Sequence, residues 1–426
     1  MEDQAGGTEG EKGARDFLAE RMQAAGLTGV TVEPFEYLGW YRGNCTLTVT
    51  GPSEQRVIPS VSLAYTGTHQ LEGELLVIGY GTPGEFESLR DQVPGKMVLV
   101  AAKSSAYHQR SIHRCEKIGR AVELGAADVL WMRWDGGLME EAGAAMWNRE
   151  VELPCLSLSR EAGETLKRMA AGGPVRLRLD VANTLEPATS WNIYGDIAGT
   201  RLKEQQIIIG AHFEGHDVAV GALDDGAGAV IVLEIARALA CHAGSFARTL
   251  RFITFPLEES GFIGAHAYVD SHPDELDQIV FMLNLDGAGR SGAPHGIMLQ
   301  GHRSELIQPL RRIGREINEP LLADNGMSLY SDHFPFYEAG VPAGLVQVMD
   351  VPKAGVRGFS HTAADTLDKV NPSHLQQTAL QAARWIARLA DLDPWPARRQ
   401  TPAEAAAAVE AFGYTEALKL EKRYRF

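Results

Sequence analysis

The residues of this sequence that could do chemistry are two histidines and a set of carboxylates, most of which follow apolar segments. Segment 207–209 leads to one histidine, segment 252–255 to a Glu-Glu pair, and segment 279–283 to a lone aspartate. The full set is His212, Asp224, Asp225, Glu258, Glu259, Asp286 and His361. Because open α/β sheets bind ligands at the carboxyl ends of their strands, we expect these side chains to meet at one sheet edge.

Imidazoles and carboxylates in these numbers are sufficient for a hydrolytic site with two metal ions. Zinc accepts histidine nitrogen and carboxylate oxygen, and a catalytic zinc keeps one position open for water. Two ions about 3.5–4 Å apart can activate a water and stabilise the charge that develops during hydrolysis. The adjacent pair Glu258-Glu259 suits a division of labour, since neighbouring residues leaving a strand point in opposite directions. One carboxylate can bind metal while the other acts as general base.

Each of these features has a more ordinary explanation when taken alone. A histidine at a strand end is usually a satisfied polar residue, and an Asp-Asp pair before a helix usually caps it. A Glu-Glu pair is usually solvated surface. Several strand-end features with metal-competent side chains, all in one chain, favour the metal site over these separate explanations.

The motifs together resemble metallopeptidase family twenty-eight, the aminopeptidases with two co-catalytic zinc ions. The resemblance is specific over residues 190–390. It rests on Gly-Ala-His, Gly-Ala-x-Asp-Asp-x-x-Gly, Glu-Glu-x-Gly-x-x-Gly-Ala, Asn-Leu-Asp, Ser331-Asp332-His333 and Ser-His-Thr-x-x-Asp-Thr-Leu-Asp-Lys-Val-Asn. A further likeness lies at residues 7–11, and residues 60–180 look like the protease-associated domain that many members carry.

The resemblance implies a role for each matching residue. Asp224 would bridge two Zn²⁺ ions, Glu259 and His361 would complete the shell of one ion, and His212 and Asp286 would complete the shell of the other. Glu258 would be the general base, which takes a proton from the bridging water and passes it to the leaving amine.

The resemblance also implies supporting residues and a cis peptide bond between Asp224 and Asp225. Family members usually have Asp two residues after the first histidine, where this chain has Glu214, which is longer by one methylene and could still orient His212. Asp225 and Asp332 are expected to support the ligands without binding metal. His333 is expected to be structural.

The alternation of strands and helices from residue 190 to 390 predicts an α/β fold. The expected architecture is a three-layer sandwich with a mainly parallel mixed sheet and helices on both faces, plus a smaller inserted α/β domain. We expect a discontinuous zinc peptidase domain at 1–59 and 181–395, a protease-associated insert at 60–180, and a C-terminal helical tail at 396–426.

Composition narrows the classes of partner. Lys+Arg 40 against Asp+Glu 55 gives a formal net charge of −15, without the basic patch that nucleic-acid binding needs. No apolar segment approaches the roughly 20 residues that a membrane span requires.

The N-terminus as written lacks a signal peptide and the four cysteines show no paired spacing, so the expected location is cytoplasmic, with secretion after loss of a signal as the alternative. The tail helix could pack on the body or support a homodimer.

The expected activity is that of a zinc-dependent exopeptidase, an aminopeptidase acting on peptides with a free N-terminus. A carboxypeptidase of the same family is an alternative, which would need a basic group for the terminal carboxylate, and Arg290 and Arg357 are candidates. A binding protein that keeps the fold without activity would typically have lost ligands or the base. A single-zinc glutaminyl cyclase is disfavoured by the bridging set and by the insert.

Overall fold

The computed structural model describes residues 6–50, 55–103, 110–290, 292, 294–319, 321–348 and 358–426. Arg357, one of the two arginines named above, lies outside these residues. The chain divides into two compact units. Unit 1 comprises Met1–Tyr37, Thr189–Thr415 and Arg425–Phe426, and unit 2 comprises Leu38–Ala188 and Glu416–Tyr424.

The described residues form helices and strands with the following bounds. The helices are α1 Glu9–Ala24, α2 Pro83–Ser88, α3 Arg114–Glu123, α4 Arg160–Ala171, α5 Ala227–Ala240, α6 Ile263–Ser271, α7 Ser304–Glu316, α8 His333–Glu338, α9 Pro372–Ala390, α10 Pro402–Ala411 and α11 Thr415–Leu420. The strands are β1 Thr28–Thr50, β2 Gln55–Ile58, β3 Val61–Ser62, β4 His69–Gly79, β5 Met97–Ala101, β6 Asp128–Met132, β7 Cys155–Leu158, β8 Arg176–Ile197, β9 Leu202–His212, β10 Arg248–Phe255, β11 Ile279–Asn284, β12 Gly296–Gln300, β13 Leu322–Gly326 and β14 Ala343–Gln347.

The sheet of unit 1 is mixed and mainly parallel, in the strand order β13-β12-β14-β11-β9-β10-β8. The pairs β9–β10, β9–β11, β11–β14 and β12–β13 are parallel, whereas β8–β10 and β12–β14 are antiparallel. The central strands β9, β10 and β11 are almost wholly buried, which explains their continuous apolar sequence.

Helices cover both faces of this sheet, as the sequence predicted. On one face, alternate residues of β9 such as Ile207 and Ile209 join a core with apolar side chains of α1, α5, α7 and α9. On the other face, Phe255 at the end of β10 packs against Phe336 of α8, and Phe336 contacts Tyr268 of α6. The three-layer α/β sandwich is therefore confirmed.

Unit 2 has a smaller α/β fold of its own. Its sheet runs β8-β4-β5-β6-β7-β3, with parallel pairing from β4 to β7 and antiparallel pairing at both ends. Apolar cores lie on its two faces, one including Leu166 of α4 and the other including Ile118 of α3. That this unit is a protease-associated domain stays a prediction.

Unit 2 extends beyond the expected insert at both ends and includes part of the tail. The expected limits 60 and 180 lie inside it, because β1 and β8 run without a break between the two units. Trp147 Nε1 donates to Glu421 Oε2 at 3.0 Å, which ties the last helical turn of the chain into unit 2. The tail is helical, and α10 belongs to unit 1 whereas residues 416–424 belong to unit 2. Among the described residues, no helix combines the length and the apolar character of a membrane span.

His333, at the start of α8, is a fully buried imidazole. Its Nδ1 lies 3.4 Å from Asn284 Nδ2, an amide that can donate a hydrogen bond to the neutral ring. Burial, the main cause, lowers the pKa of His333 from its ordinary value of 6.5 to about 3. The folded protein therefore holds this ring neutral, in keeping with a structural role.

Replacing His333 by Gln is expected to change how stability depends on pH. Because the folded pKa lies below the unfolded pKa, the contribution of His333 to the free energy of unfolding is fully present above about pH 6.5 and is lost as pH falls toward about 3. The loss should amount to a few kcal/mol, on the order of the pKa difference converted to energy. Urea unfolding of both chelator-treated proteins between pH 7 and pH 3 measures it. A difference between wild type and His333→Gln that stays constant over this range would contradict the assignment.

Candidate active site

Three neighbouring parallel strands of unit 1 end at the same level and carry the first group of site residues. In the register of β9 and β10, His212 lies opposite Phe255, so Glu258 and Glu259 follow just beyond the histidine. In the register of β9 and β11, Gly210 lies opposite Asn284, which places Asp286 at the same edge. The parallel pairing thus converts three distant sequence motifs into one cluster, as the sequence predicted.

The Asp224-Asp225 pair lies in a tight turn, Ala222–Gly226, that leads from the loop after β9 into α5. The peptide bond between the two aspartates is cis, so this expectation is confirmed. Asp365 holds the turn, because its carboxylate accepts hydrogen bonds from the backbone N–H groups of Leu223 at 2.8 Å and Asp224 at 3.1 Å. Asp365 occurs in the quoted Ser-His-Thr motif, but the sequence alone gave it no role.

The carboxylate of Asp224 lies between the two histidines. Asp224 Oδ2 is 3.3 Å from His361 Nε2, and Asp224 Oδ1 is 3.7 Å from His212 Nε2. His361 Nε2 is also 3.1 Å from Glu259 Oε1, and His212 Nε2 is 3.9 Å from Asp286 Oδ1. The structure thus brings together all five expected ligands, and their division between two ions stays a prediction because His212, Asp224 and Glu259 also form one set of neighbouring ligand atoms.

These distances are compatible with zinc binding by the expected ligands. Ligand atoms at about 2.1 Å from a tetrahedral zinc lie roughly 3.4 Å apart, close to the separations found here. Three sets of ligand atoms lie within 4.8 Å of one another, namely His212 with Asp224 and Glu259, His212 with Asp225 and Asp286, and His216 with Glu259 and His361. The donors are imidazole nitrogen and carboxylate oxygen, which are zinc ligands in proteins.

The expected supporting residues hold the ligands in different ways. Glu214 lies beside His212, with Oε2 at 3.3 Å and the backbone carbonyl at 3.1 Å from His212 Nδ1, and its Oε1 accepts from Glu259 N at 3.0 Å. Asp225 Oδ1 accepts from the backbone of Gly228 and Gly287, each at 3.1 Å. The longer glutamate therefore still reaches the histidine, and Asp225 ties the Asp-Asp turn to the loop after β11.

Asp286 and Asp332 differ in their surroundings. Ser331 Oγ donates to Asp286 Oδ2 at 2.7 Å, and Asn284 Nδ2 donates to Ser331 Oγ at 2.6 Å, so a short chain of hydrogen bonds orients Asp286. Asp332 is fully buried, and neither of its carboxylate oxygens has a hydrogen-bond partner among the described residues. Burial raises the pKa of Asp332 well above its usual range.

The two adjacent glutamates have opposite electrostatic environments. Burial is the main cause that raises the pKa of Glu258 well above its usual range, and the carboxylates of Glu259 and Asp286 add to it. Burial also acts on Glu259, but the nearby His216 and His361 outweigh it and hold its pKa well below the usual range. Environments that separate the pKa values of two carboxyl groups in this way are characteristic of acid–base sites.

Arg290 is a basic residue within the carboxylate cluster. Its guanidinium forms an ion pair with Asp224 Oδ1 and lies 3.9 Å from Asp286 Oδ1, and its side chain is 14% exposed. Burial disfavours the charge of Arg290, but Asp224 and the other carboxylates outweigh it and raise its pKa. A cation therefore already lies beside the carboxylate that the resemblance assigns to both metal ions.

His216 is a site residue that the sequence reasoning missed. Its Nε2 lies 3.1 Å from Glu259 Oε2, and its ring centroid lies 4.6 Å from that of His361. The sequence feature that could have indicated it is a second histidine only four residues after His212, in His212-Phe213-Glu214-Gly215-His216. Such a short spacing keeps the second imidazole near the end of β9.

Comparisons with known proteins agree with this geometry. The sequence profile of peptidase family M28 matches residues 192–386. The chain is similar to carboxypeptidase Q of Xenopus laevis, with 26% identity over 89% of this chain and 80% of the relative, and to aminopeptidase YwaD of Bacillus subtilis (strain 168), with 27% identity over 94% and 84%.

The fold resembles the solved structure of BSAP, a zinc aminopeptidase from Bacillus subtilis. The TM-score is 0.68 at 24% sequence identity, and the match covers 92% of this chain and 91% of that chain. The profile match includes the ends of β9, β10 and β11 and the loop that carries His361, and it therefore spans all five expected ligands. Together with the motifs, these findings show that residues 192–386 match peptidase family M28.

Proposed function

We propose that this chain is a zinc-dependent exopeptidase that removes N-terminal residues from peptides, with Glu258 as its general base. The observation that carries the proposal is the difference between two adjacent buried glutamates. The surroundings of Glu259 favour its charged form, and those of Glu258 favour its protonated form. Glu259 Oε1 lies 3.1 Å from His361 Nε2 and belongs to two of the three sets of neighbouring ligand atoms, whereas Glu258 belongs to none of them.

Two zinc ions would be held by this donor set, with Glu259 and His361 as ligands of one, His212 and Asp286 as ligands of the other, and Asp224 available to either. When bound, they polarise the scissile carbonyl and lower the pKa of the attacking water. The chain itself orients these ligands through Glu214 on His212, Ser331 on Asp286, and Asp365 on the backbone of Asp224. Such supporting contacts fix the direction of each ligand.

Glu258 would take the proton from the water that attacks the peptide carbonyl and deliver it to the leaving amine. A base must be ionised to accept a proton, and burial alone would keep Glu258 protonated. Divalent cations are the largest local charges in such a site and reverse this preference. The pKa of Glu258 is thus set between burial, which raises it, and the bound charge, which lowers it, as proton transfer in both directions requires.

The similar proteins support peptide hydrolysis at a chain terminus. One relative is named an aminopeptidase, one solved neighbour is a zinc aminopeptidase, and another relative is named a carboxypeptidase. All three names describe exopeptidases or their zinc dependence, so a protein that only binds ligands on this fold is the less supported alternative.

Replacing Glu258 by Gln is expected to abolish most peptidase activity and leave zinc binding intact. Gln keeps the shape of the side chain but cannot accept the proton, so kcat on aminoacyl anilides should fall by about 10²–10⁴-fold. Zinc per chain, measured on the same samples, should equal that of wild type.

The matched control is Glu204→Gln, the same change at an exposed glutamate of unit 1. It should leave kcat unchanged. If Glu258→Gln retained wild-type kcat, Glu258 would not be the base. If wild type bound zinc but turned over neither free nor N-blocked peptides, the chain would be a binding protein.

Carboxypeptidase activity is the second candidate, and Arg290 is the observation that favours it. A peptidase that removes C-terminal residues needs a cation for the terminal carboxylate, and guanidinium matches a carboxylate with two parallel hydrogen bonds. Arg290 lies at the cluster, and its side chain is 14% exposed.

Replacing Arg290 by Met separates the two candidates. For a carboxypeptidase, the ratio of kcat/KM for a peptide with a free C-terminal carboxylate to that for its C-terminal amide should fall by roughly 10–10³-fold, because a buried charge would lose its partner. For an aminopeptidase, the ratio should stay unchanged in Arg290→Met. The ratio cancels any general damage from the loss of the Asp224 contact, and Arg290→Lys should lie between wild type and Met.

A further inference from the structure

We propose that His216 is an additional ligand of the metal ion held by Glu259 and His361. This inference rests on the proposed function and assigns this chain a metal-binding residue beyond the five expected ones. It makes the two metal positions chemically unequal, since one would have four protein ligands and the other three protein ligands beside a guanidinium.

The loop after β9 has a backbone that directs His216 toward the cluster. Gly215 and Gly221 approach so closely that a Cβ added to Gly215 would lie 2.8 Å from the Cα of Gly221, and the reverse distance is 2.9 Å. Neither position can carry a side chain without moving the backbone. The loop therefore folds back on itself between β9 and the Asp-Asp turn, and His216 lies at the fold.

The imidazole nitrogen of His216 is placed as a ligand would be. Glu259 lies between two histidines, with Oε1 at 3.1 Å from His361 Nε2 and Oε2 at 3.1 Å from His216 Nε2. Both separations are near the roughly 3.4 Å expected between two ligand atoms on one tetrahedral zinc. His216, Glu259 and His361 each direct one ligand atom into a space whose atoms lie within 4.8 Å of one another.

The same nitrogen is buried without a hydrogen bond. The side chain of His216 is 8% exposed, and its Nε2 has no hydrogen-bond partner among the described residues, although Glu259 is near. An unsatisfied buried nitrogen costs about 1–3 kcal/mol, and a bound cation removes that cost.

Coordination by Asp224, Glu259, His361 and His216 would give one ion four protein ligands. A set of four is typical of structural zinc sites, and catalytic zinc can expand to five-coordination when it also takes a substrate or water. The other position has His212, Asp224 and Asp286, and the Arg290 guanidinium lies beside two of these carboxylates. The first ion should therefore bind more tightly and leave last when a chelator is applied.

The test compares zinc binding by the full-length chain with His216 replaced by Phe or by Gln. Phe keeps an aromatic ring against His361 but cannot bind metal. Gln places an amide N–H about where Nε2 lies and can donate a hydrogen bond to Glu259, but amides are not among the usual zinc ligands. His242→Phe, at an exposed histidine of the same unit, is the matched control.

The measurement is zinc per chain at a series of buffered free Zn²⁺ concentrations, with the visible spectrum of the Co²⁺-loaded proteins as a second readout. Wild type and His242→Phe should bind one ion tightly and one more weakly. Because loss of a supporting contact already costs about 10–100-fold in affinity, the tight step in both His216 variants should weaken by at least about 100-fold. The Co²⁺ spectrum should change in both.

Each other outcome overturns the inference. Wild-type affinity in His216→Phe would show that the ring is not needed, and retained affinity in His216→Gln alone would reduce His216 to a hydrogen-bonding residue that positions Glu259. Unfolding of the chelator-treated variants by urea tests whether they fold. If wild type itself bound no zinc, the proposed function would fail, which is distinct from failure of His216 alone.

Discussion

The constraint on which this structure depends is the burial of many carboxylates in one small volume. Those that interact with the two central histidines or with one another are Glu214, Asp224, Asp225, Glu258, Glu259, Asp286 and Asp332. Two such charges 4 Å apart repel by about 4 kcal/mol even at the effective dielectric of a protein surface. Arg290 supplies one balancing charge, and the neighbouring carboxylates outweigh burial and raise the pKa of both His212 and His361, so the rest must come from protonated imidazoles, from protons on the carboxyl groups or from bound cations. Binding of metal and stability of the site are consequently coupled.

The fold positions these charged side chains through its backbone, by the register of its strands and by hydrogen bonds in its loops. The register of β9 with β10 and β11 fixes His212, the glutamate pair and Asp286, and none of these needs a long loop to reach the site. Where a site residue lies in a loop, hydrogen bonds to the backbone help to fix its position. Asp365 fixes the turn before Asp224, and His361 lies in the loop after β14 with a φ of +62°, a conformation that a non-glycine residue seldom adopts. Such outliers persist only where the surroundings enforce them, and functional sites are where they concentrate.

Sequence could predict the part of this site that strands position. A continuous apolar segment that ends in a metal-competent side chain indicates both a buried parallel strand and the location of its carboxyl end, so the cluster around His212, Glu258 and Asp286 could be predicted from pattern and topology. His361 could be assigned only through its motif, since no continuous apolar segment of the sequence ends just before it. His216 was missed because the direction of a loop side chain depends on the approach of Gly215 to Gly221, which spacing alone does not encode.

The limits of the two units were harder to predict for a similar reason. Residues 30–50 alternate apolar and polar side chains, and such a strand pattern does not show which sheet the strand joins. β1 and β8 each pass from one unit to the other within a single regular element, so composition and turn signals give no boundary at Leu38 or Ala188. By contrast, the spacing of Val232, Ile235 and Leu239 is that of one helix face, and these residues are buried in α5.

Arg290 links the charge constraint to the choice of substrate. When no metal ion binds Asp224, the Arg290 guanidinium is a suitable partner for its carboxylate. A divalent ion about 4 Å from the guanidinium would repel it by about 8 kcal/mol at the effective dielectric of a protein surface. An ion held by His212 and Asp286 would therefore weaken the pairing of Arg290 with Asp224. Beside the guanidinium, the terminal carboxylate of a peptide would be stabilised and a terminal ammonium group would be repelled. The proposed aminopeptidase thus requires that the ammonium group of the substrate bind away from Arg290, whereas the carboxypeptidase alternative requires that the terminal carboxylate bind beside it.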